Sequence, residues 1–132
     1  MLPAPATKHQ ASMANIAPVF NSMRIFRNAA FEHYMRLPKY AQPNIGHRFM
    51  THICNALEAL RQWERLYNRQ FKLDAVNAAL HELVLASDYI EWMTDEHMLS
   101  YKQCADLVMK REEVERQLGG IRKALIREAG QM

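Results

Sequence analysis

From residue 16 onward the chain is organised by a helical repeat of apolar positions. Ile16, Val19, Phe20, Met23, Phe26, Ala30 and Tyr34 recur at three- and four-residue steps. That spacing lines them on one face of a 3.6-residue helix, and predicts a first helix over residues 16–36. Asn15 is placed to cap it, and Pro18 is tolerated in a first turn. Phe49, Ile53, Ala56, Leu60, Trp63 and Tyr67 alternate four- and three-residue steps, as an a/d seam does. They predict a second helix over 45–69, with Leu57 widening the stripe. Leu73, Val76, Leu80, Leu83, Ser87 and Ile90, with Ala79, Val84 and Ala86 alongside, predict a third over 73–93. Cys104, Leu107, Val108, Val114, Leu118, Ile121 and Leu125 predict a fourth over 100–128.

The breaks between these runs carry their own signals. Pro38 and Pro43 each lack an amide donor and disfavour helical geometry in the preceding residue. Asn44 is then placed to cap the second helix. Ser100-Tyr101-Lys102-Gln103 reads as a capping box, in which the Ser hydroxyl and the Gln amide group satisfy each other's backbone N–H. Helices of this length span roughly 31–42 Å. Four of them on short links are expected to pack as an all-α, antiparallel up-down-up-down four-helix bundle with crossing angles near ~20°. Residues 1–15, rich in Ala, Pro and small polar side chains, read as a flexible tail; 16–132 form the bundle domain.

Composition narrows the class. The 132 residues suffice for a single core. Only 4 Gly are present, too few for the turns of an all-β domain. Cys54 and Cys104 fall in helical stretches and read as two buried thiols in a reducing, cytoplasmic setting. No run approaches the ~18 uncharged apolar residues of a membrane span, and the first fifteen residues do not read as a secretory signal.

Charge is distributed unevenly. Residues 1–72 hold 10 Lys/Arg against 3 Asp/Glu, whereas residues 73–132 hold 7 against 11. Such asymmetry points either to a polyanion partner for the first half or to pairing between helices or subunits.

Catalytic and cofactor motifs are lacking. A di-iron bundle needs Glu-x-x-His on two helices, and neither that motif nor His-Glu-x-x-His occurs. His47 and His52, five apart, do not share a helix face. Gly119-Gly120 lacks the Lys-Ser/Thr of a phosphate loop; it reads instead as close approach between helices, at a cost of about 1 kcal/mol per glycine. The expectation is a protein that is not an enzyme and holds no cofactor or metal.

The basic residues are the remaining candidates for function. Arg24, Arg27, Arg36 and Lys39 lie on the first helix and its loop. Arg48, Arg61, Arg65 and Arg69 lie on the second, followed by Lys72. Arg61, Arg65 and Arg69 are spaced to form one stripe turned away from the seam. Arginine binds phosphate oxygens bidentately and stacks on bases, and Trp63 and Tyr67 share that helix. These nine residues are the candidate nucleic-acid contacts; a solvated charged face is the alternative.

Several short segments together resemble a known family. They are Leu37-Pro38-Lys39, Ile45-Gly46-His47-Arg48-Phe49, Ala78-Ala79-Leu80-His81-Glu82-Leu83, Leu99-Ser100 and Leu118-Gly119-Gly120-Ile121-Arg122-Lys123. Their order and spacing over roughly residues 18–127 resemble the accessory variability determinant (Avd) family of diversity-generating retroelements. Ile121 departs from the Trp expected after the glycine pair, and Glu115 from a small residue. The third helix is also more acidic than in a strongly basic relative.

The resemblance implies a non-catalytic, cytoplasmic partner of a reverse transcriptase. It implies a homopentamer that binds template-repeat RNA, its RNA–cDNA product and the polymerase, supporting error-prone cDNA synthesis in mutagenic retrohoming. Asp88 and Glu91, with Arg122 and Lys123, are then candidates for protein contacts. The alternative is a structural, protein-interaction bundle of the rRNA intervening-sequence type, with no nucleic-acid role.

Overall fold

The computed structural model describes residues 16–65 and 68–130. The expected tail over 1–15, the Asn15 cap and Tyr67 lie outside the described residues. Among the described residues there are four helices and no strand: α1 (Ile16–Met35), α2 (His47–Arg61), α3 (Arg69–Asp95) and α4 (Tyr101–Gly130). A π-helical turn, Gln42–Gly46, leads into α2, and a 3₁₀ turn, Gln62–Arg65, follows it. Each helix packs against its neighbours in the chain, and α4 also packs against α1. Rungs between α3 and α4 join Arg69 to Glu128, Asn77 to Arg122 and Ser87 to Arg111. Residue numbers thus fall along one helix as they rise along the other.

Three of the four seams follow the apolar repeat. Val19, Met23, Phe26 and Ala30 of α1 are buried, as are Phe49, Ile53, Ala56, Leu57 and Leu60 of α2, and Leu107, Val114, Leu118, Ile121 and Leu125 of α4. Cys104 and Val108 pack only partly against this core. On α3 the seam is rotated from the expected one. Val76, Ala79, Leu83, Ala86, Ile90 and Met93 are buried, whereas Leu73, Leu80 and Ser87 are half-buried. Small Ala79 and Ala86 let α3 approach its neighbours closely, so the three- and four-step repeat runs through them.

The second helix is shorter than its apolar repeat. It ends at Arg61, and Trp63 reaches the core from the 3₁₀ turn. Asn68 stops any continuation: its backbone is extended (φ −83°, ψ 129°), and its side chain accepts the Gln70 N–H at 2.7 Å. That N-cap starts α3 at Arg69, four residues before the expected start.

The other junctions are closed by side chains and turns. Asn44 does not cap α2; it sits inside the π-helical turn, and its Nδ2 donates to the Tyr40 carbonyl at 2.9 Å. Gln42 Nε2 donates to the carbonyls of Met35 and Leu37, satisfying acceptors left open at the end of α1. The Ser100 capping box forms as expected, with Ser100 N–H on Gln103 Oε1 at 2.9 Å and Gln103 N–H on Ser100 Oγ at 3.0 Å. At the end of α3, Met98 N–H reaches the Met93 carbonyl and His97 N–H the Thr94 carbonyl. This is the double closure of a Schellman turn, with His97 in the left-handed position at φ 59°.

Two further expectations are corrected. A Cβ built on Gly119 or Gly120 meets nothing within 4 Å, so the pair is not a close approach between helices of this chain. Cys54 is exposed on α2 rather than buried.

Between α1 and α4, His33 Nε2 donates to Asp106 Oδ2 at 3.0 Å, and Lys110 Nζ donates to Oδ1. The Lys110 bond first, then the His33 bond, holds the Asp106 carboxyl below its ordinary 3.8. A carboxyl depressed in the fold stabilises it above the unfolded value, and that contribution is lost as pH falls through the folded value. Asp106→Asn is therefore expected to lower the urea midpoint at pH 5, with the gap to the native chain narrowing below about pH 3.8. A gap unchanged down to pH 2 would contradict this linkage.

Candidate nucleic-acid interface

The nine basic candidates separate into groups. Arg24 of α1, Arg36 and Lys39 of the α1–α2 connection, Arg48 at the start of α2 and Arg61 at its end are exposed. No ion pair involves these five among the described residues. Arg27 is half-buried, and its Nε and Nη2 donate to Asn28 Oδ1 at 3.3 and 3.1 Å.

The expected Arg61-Arg65-Arg69 stripe does not form, because the chain breaks between its members. Arg61 ends α2, Arg69 begins α3, and the Arg65 side chain lies outside the described residues. Arg69 is turned toward α4, with Nε 3.4 Å from Glu128 Oε2 and Nη1 donating to the Glu128 carbonyl at 3.2 Å.

Lys72 departs furthest from expectation. It is only 2% exposed, with its ammonium 4.9 Å from the centroid of the buried Trp63 ring. Burial pushes the ammonium below its ordinary 10.5, and the nearby Glu128 charge pulls it partly back. A group enclosed in this way holds the α2–α3 junction together and cannot meet a phosphate. Trp63 itself is a core residue rather than a partner for an arginine stripe.

The protein-contact candidates also fall apart in space. Asp88 and Glu91 are exposed near the Ser87–Arg111 rung, while Arg122 donates to Asn77 Oδ1 at 2.9 Å beside exposed Lys123. Those two levels are about 16 Å apart along α3. Arg111 bonds Ser87 and pairs with Glu115 at 2.6 Å, so Glu115 clasps its own helix. Glu82 is half-buried between helices, accepting from Asn55 Nδ2 at 2.8 Å and lying 3.4 Å from His52 Nδ1.

What the fold does bring together lies at the end of the molecule holding the α1–α2 and α3–α4 connections. An open groove of about 550 Å³ runs between Tyr40, Asn44 and Arg48 on one side and Tyr89, Trp92 and Glu96 on the other. Arg36 and Lys39 belong to the same connection as Tyr40. Tyr40 is 69% exposed and Trp92 54%. Behind Trp92 the rings continue as a ladder. Trp92 and Tyr89 are 6.1 Å apart, Tyr89 and His52 5.5 Å, each pair tilted by 27°. A smaller recess of about 280 Å³ continues past His52 and Asp88. Arg61 lies roughly 20 Å away along α2 from Arg48.

Aromatic and basic residues at this end come from segments some fifty residues apart in the chain, with the α1–α2 connection supplying Tyr40, α2 supplying Arg48 and α3 supplying Trp92. The exposed aromatics at Tyr40 and Trp92 were not singled out by sequence reasoning; Tyr40 sits between two prolines and Trp92 just off the α3 seam.

Among the described residues no group of three or more His, Cys, Asp or Glu is placed to hold a metal ion, and no helix is long and apolar enough to cross a membrane. No protein-family model, curated protein or solved structure matches this chain.

Proposed function

We propose that the chain is a non-catalytic accessory subunit of a diversity-generating retroelement reverse transcriptase. In this reading it is an antiparallel up-down-up-down bundle, assembled as a cytoplasmic homopentamer, that contacts template-repeat RNA and the polymerase. The observation that carries the nucleic-acid part is the exposed trio Arg36, Lys39 and Arg48 at one end of the molecule. Cations that make no ion pair among the described residues keep their charge available for phosphate, and their attraction is screened by salt. Repetition of a modest basic end around a ring multiplies its field. The family assignment rests on the motif resemblance alone.

Binding of a structured RNA is expected to fall steeply with salt. Substituting Arg36, Lys39 and Arg48 together with Ala is expected to weaken it about tenfold at low salt and to flatten the log–log salt slope by about 2–3. The three side chains are exposed, so helicity by circular dichroism is expected to be unchanged. An unaltered slope would remove these residues from the interface.

The protein-interaction reading is favoured by a different observation. Ile25, Phe31 and Met35 on α1, Val84 on α3 and Met109 on α4 are large apolar side chains left exposed. A discrete oligomer that ignores RNA even at low salt, and the polymerase with it, would decide for that alternative.

A further inference from the structure

We propose that the groove between Tyr40 and Trp92 is a stacking site for one unpaired purine base of an RNA strand. This rests on the RNA-binding reading above and deepens it, because phosphate contacts alone do not distinguish paired from unpaired RNA.

The two walls offer the chemistry such a base needs. Tyr40 and Trp92 present exposed rings from opposite sides of a groove of about 550 Å³, roomy enough for a base with its sugar. Trp92 is backed by Tyr89 and then His52 in one tilted ladder, which limits how far the indole can swing. Aromatic rings of this kind bind bases through their π-faces, and purines offer the larger face. Glu96 supplies a carboxylate acceptor for the N–H groups of a base edge, and Arg48 a donor for phosphate or for a purine's acceptors.

Charge decides between this occupant and a basic peptide. An incoming arginine would find the Glu96 carboxylate and the aromatic faces, but also the Arg48 guanidinium lining the same groove, with Lys39 beside Tyr40. A nucleotide meets the opposite balance: its phosphate is attracted by Arg48 and Lys39 while its neutral base lies against the rings. Asp88, Glu91 and Asp95 are exposed farther along and around α3. They disfavour a long phosphate track along that helix, which restricts the site to a flipped or terminal nucleotide. A duplex keeps its bases stacked inside and has nothing to insert.

The experiment compares a fluorescein-labelled oligoadenylate with a labelled RNA duplex, by anisotropy at low salt, on the full chain. Trp92→Ala and, separately, Tyr40→Ala are expected to weaken oligoadenylate binding roughly five- to hundredfold and to leave duplex binding unchanged. Trp92→Phe is expected to retain most of the affinity. Unlabelled oligoadenylate is expected to quench the emission of exposed Trp92, while Trp63, which is 0% exposed, stays bright.

Oligoadenylate affinity unchanged in both alanine variants, with circular dichroism intact, would overturn the stacking site. If duplex binding in that case still depended on Arg36, Lys39 and Arg48, the accessory-subunit reading would survive it. Failure of both RNAs to bind would overturn both readings. Quenching of Trp92 by an oligoarginine peptide but not by oligoadenylate would assign the groove to a basic protein segment, and would equally overturn the proposal.

Discussion

Trp63→Ala is expected to cost about 3–5 kcal/mol of folding stability, the largest loss of any substitution considered for this chain. Two effects add. The indole is fully buried at the junction of α2 and α3, so truncation leaves a cavity that the surrounding helices fill only in part. The ring also faces the Lys72 ammonium at 4.9 Å. A desolvated cation over an aromatic face gains about 2 kcal/mol or more, and that gain offsets part of the burial that depresses the Lys72 ammonium. Without the ring the charge stays enclosed and loses a compensating contact.

Domains of this size hold only about 5–15 kcal/mol in total, so the alanine variant is expected to sit close to unfolding at room temperature. Trp63→Phe keeps an aromatic face and is expected to lose far less. Urea denaturation followed by far-ultraviolet circular dichroism measures both. A loss below about 1 kcal/mol for the alanine variant would mean that the junction collapses around the cavity.

Gly46→Val is the second large effect, with an expected loss of about 3 kcal/mol, at the upper end for overpacking a filled site. Gly46 is buried where the π-helical turn enters α2. A Cβ there would lie 2.9 Å from Leu37 Cδ1 and 2.9 Å from Cδ1 and Cε1 of the Tyr34 ring. The Leu37 methyl is the end of a flexible side chain, but the tyrosine ring must move as a whole. Absence of a side chain is thus what lets α1 and α2 meet at this corner. Thermal unfolding is the check, with a drop of roughly 10 °C expected. A variant that melts with the native chain would show that Tyr34 gives way without cost.

How much of this was legible beforehand differs between neighbouring elements. Phe49 to Leu60 and Leu107 to Leu125 declare their seams because large apolar residues recur at helical steps. The Ser100–Gln103 capping box is equally local and forms as written. The end of α2 was not legible, because Trp63 continues the apolar step while its backbone has already left the α-helix. Asn68 carried the stop, but an asparagine between Tyr67 and Arg69 reads as surface until its side chain is seen to cap Gln70. On α3 the small alanines at 79 and 86 read as companions of a leucine seam, yet they mark the buried line itself.

The candidate interface was legible only as a roll of exposed cations. Arg36, Lys39 and Arg48 were found by residue type, and they stay exposed. Lys72 was misassigned because a lysine is rarely enclosed, and nothing local reveals that Trp63 and Glu128 surround it. The Tyr40–Trp92 groove was invisible for a different reason: its lining comes from the α1–α2 connection and α2 on one hand and from α3 and the turn after it on the other, and the packing of α2 on α3 brings these into one groove.

The turn after α3 has a consequence for whatever enters that groove. His97 holds a left-handed backbone between Glu96 and Met98, both of which line the groove, and the doubled backbone closure onto Met93 and Thr94 fixes their direction. Across from it, Asn44 pins the Tyr40 carbonyl and Gln42 pins the end of α1. The backbone of both walls is therefore fixed by the fold, which lowers the ordering cost of any contact made there. The left-handed turn at one histidine, set in place at folding, leaves the backbone of that wall little to rearrange.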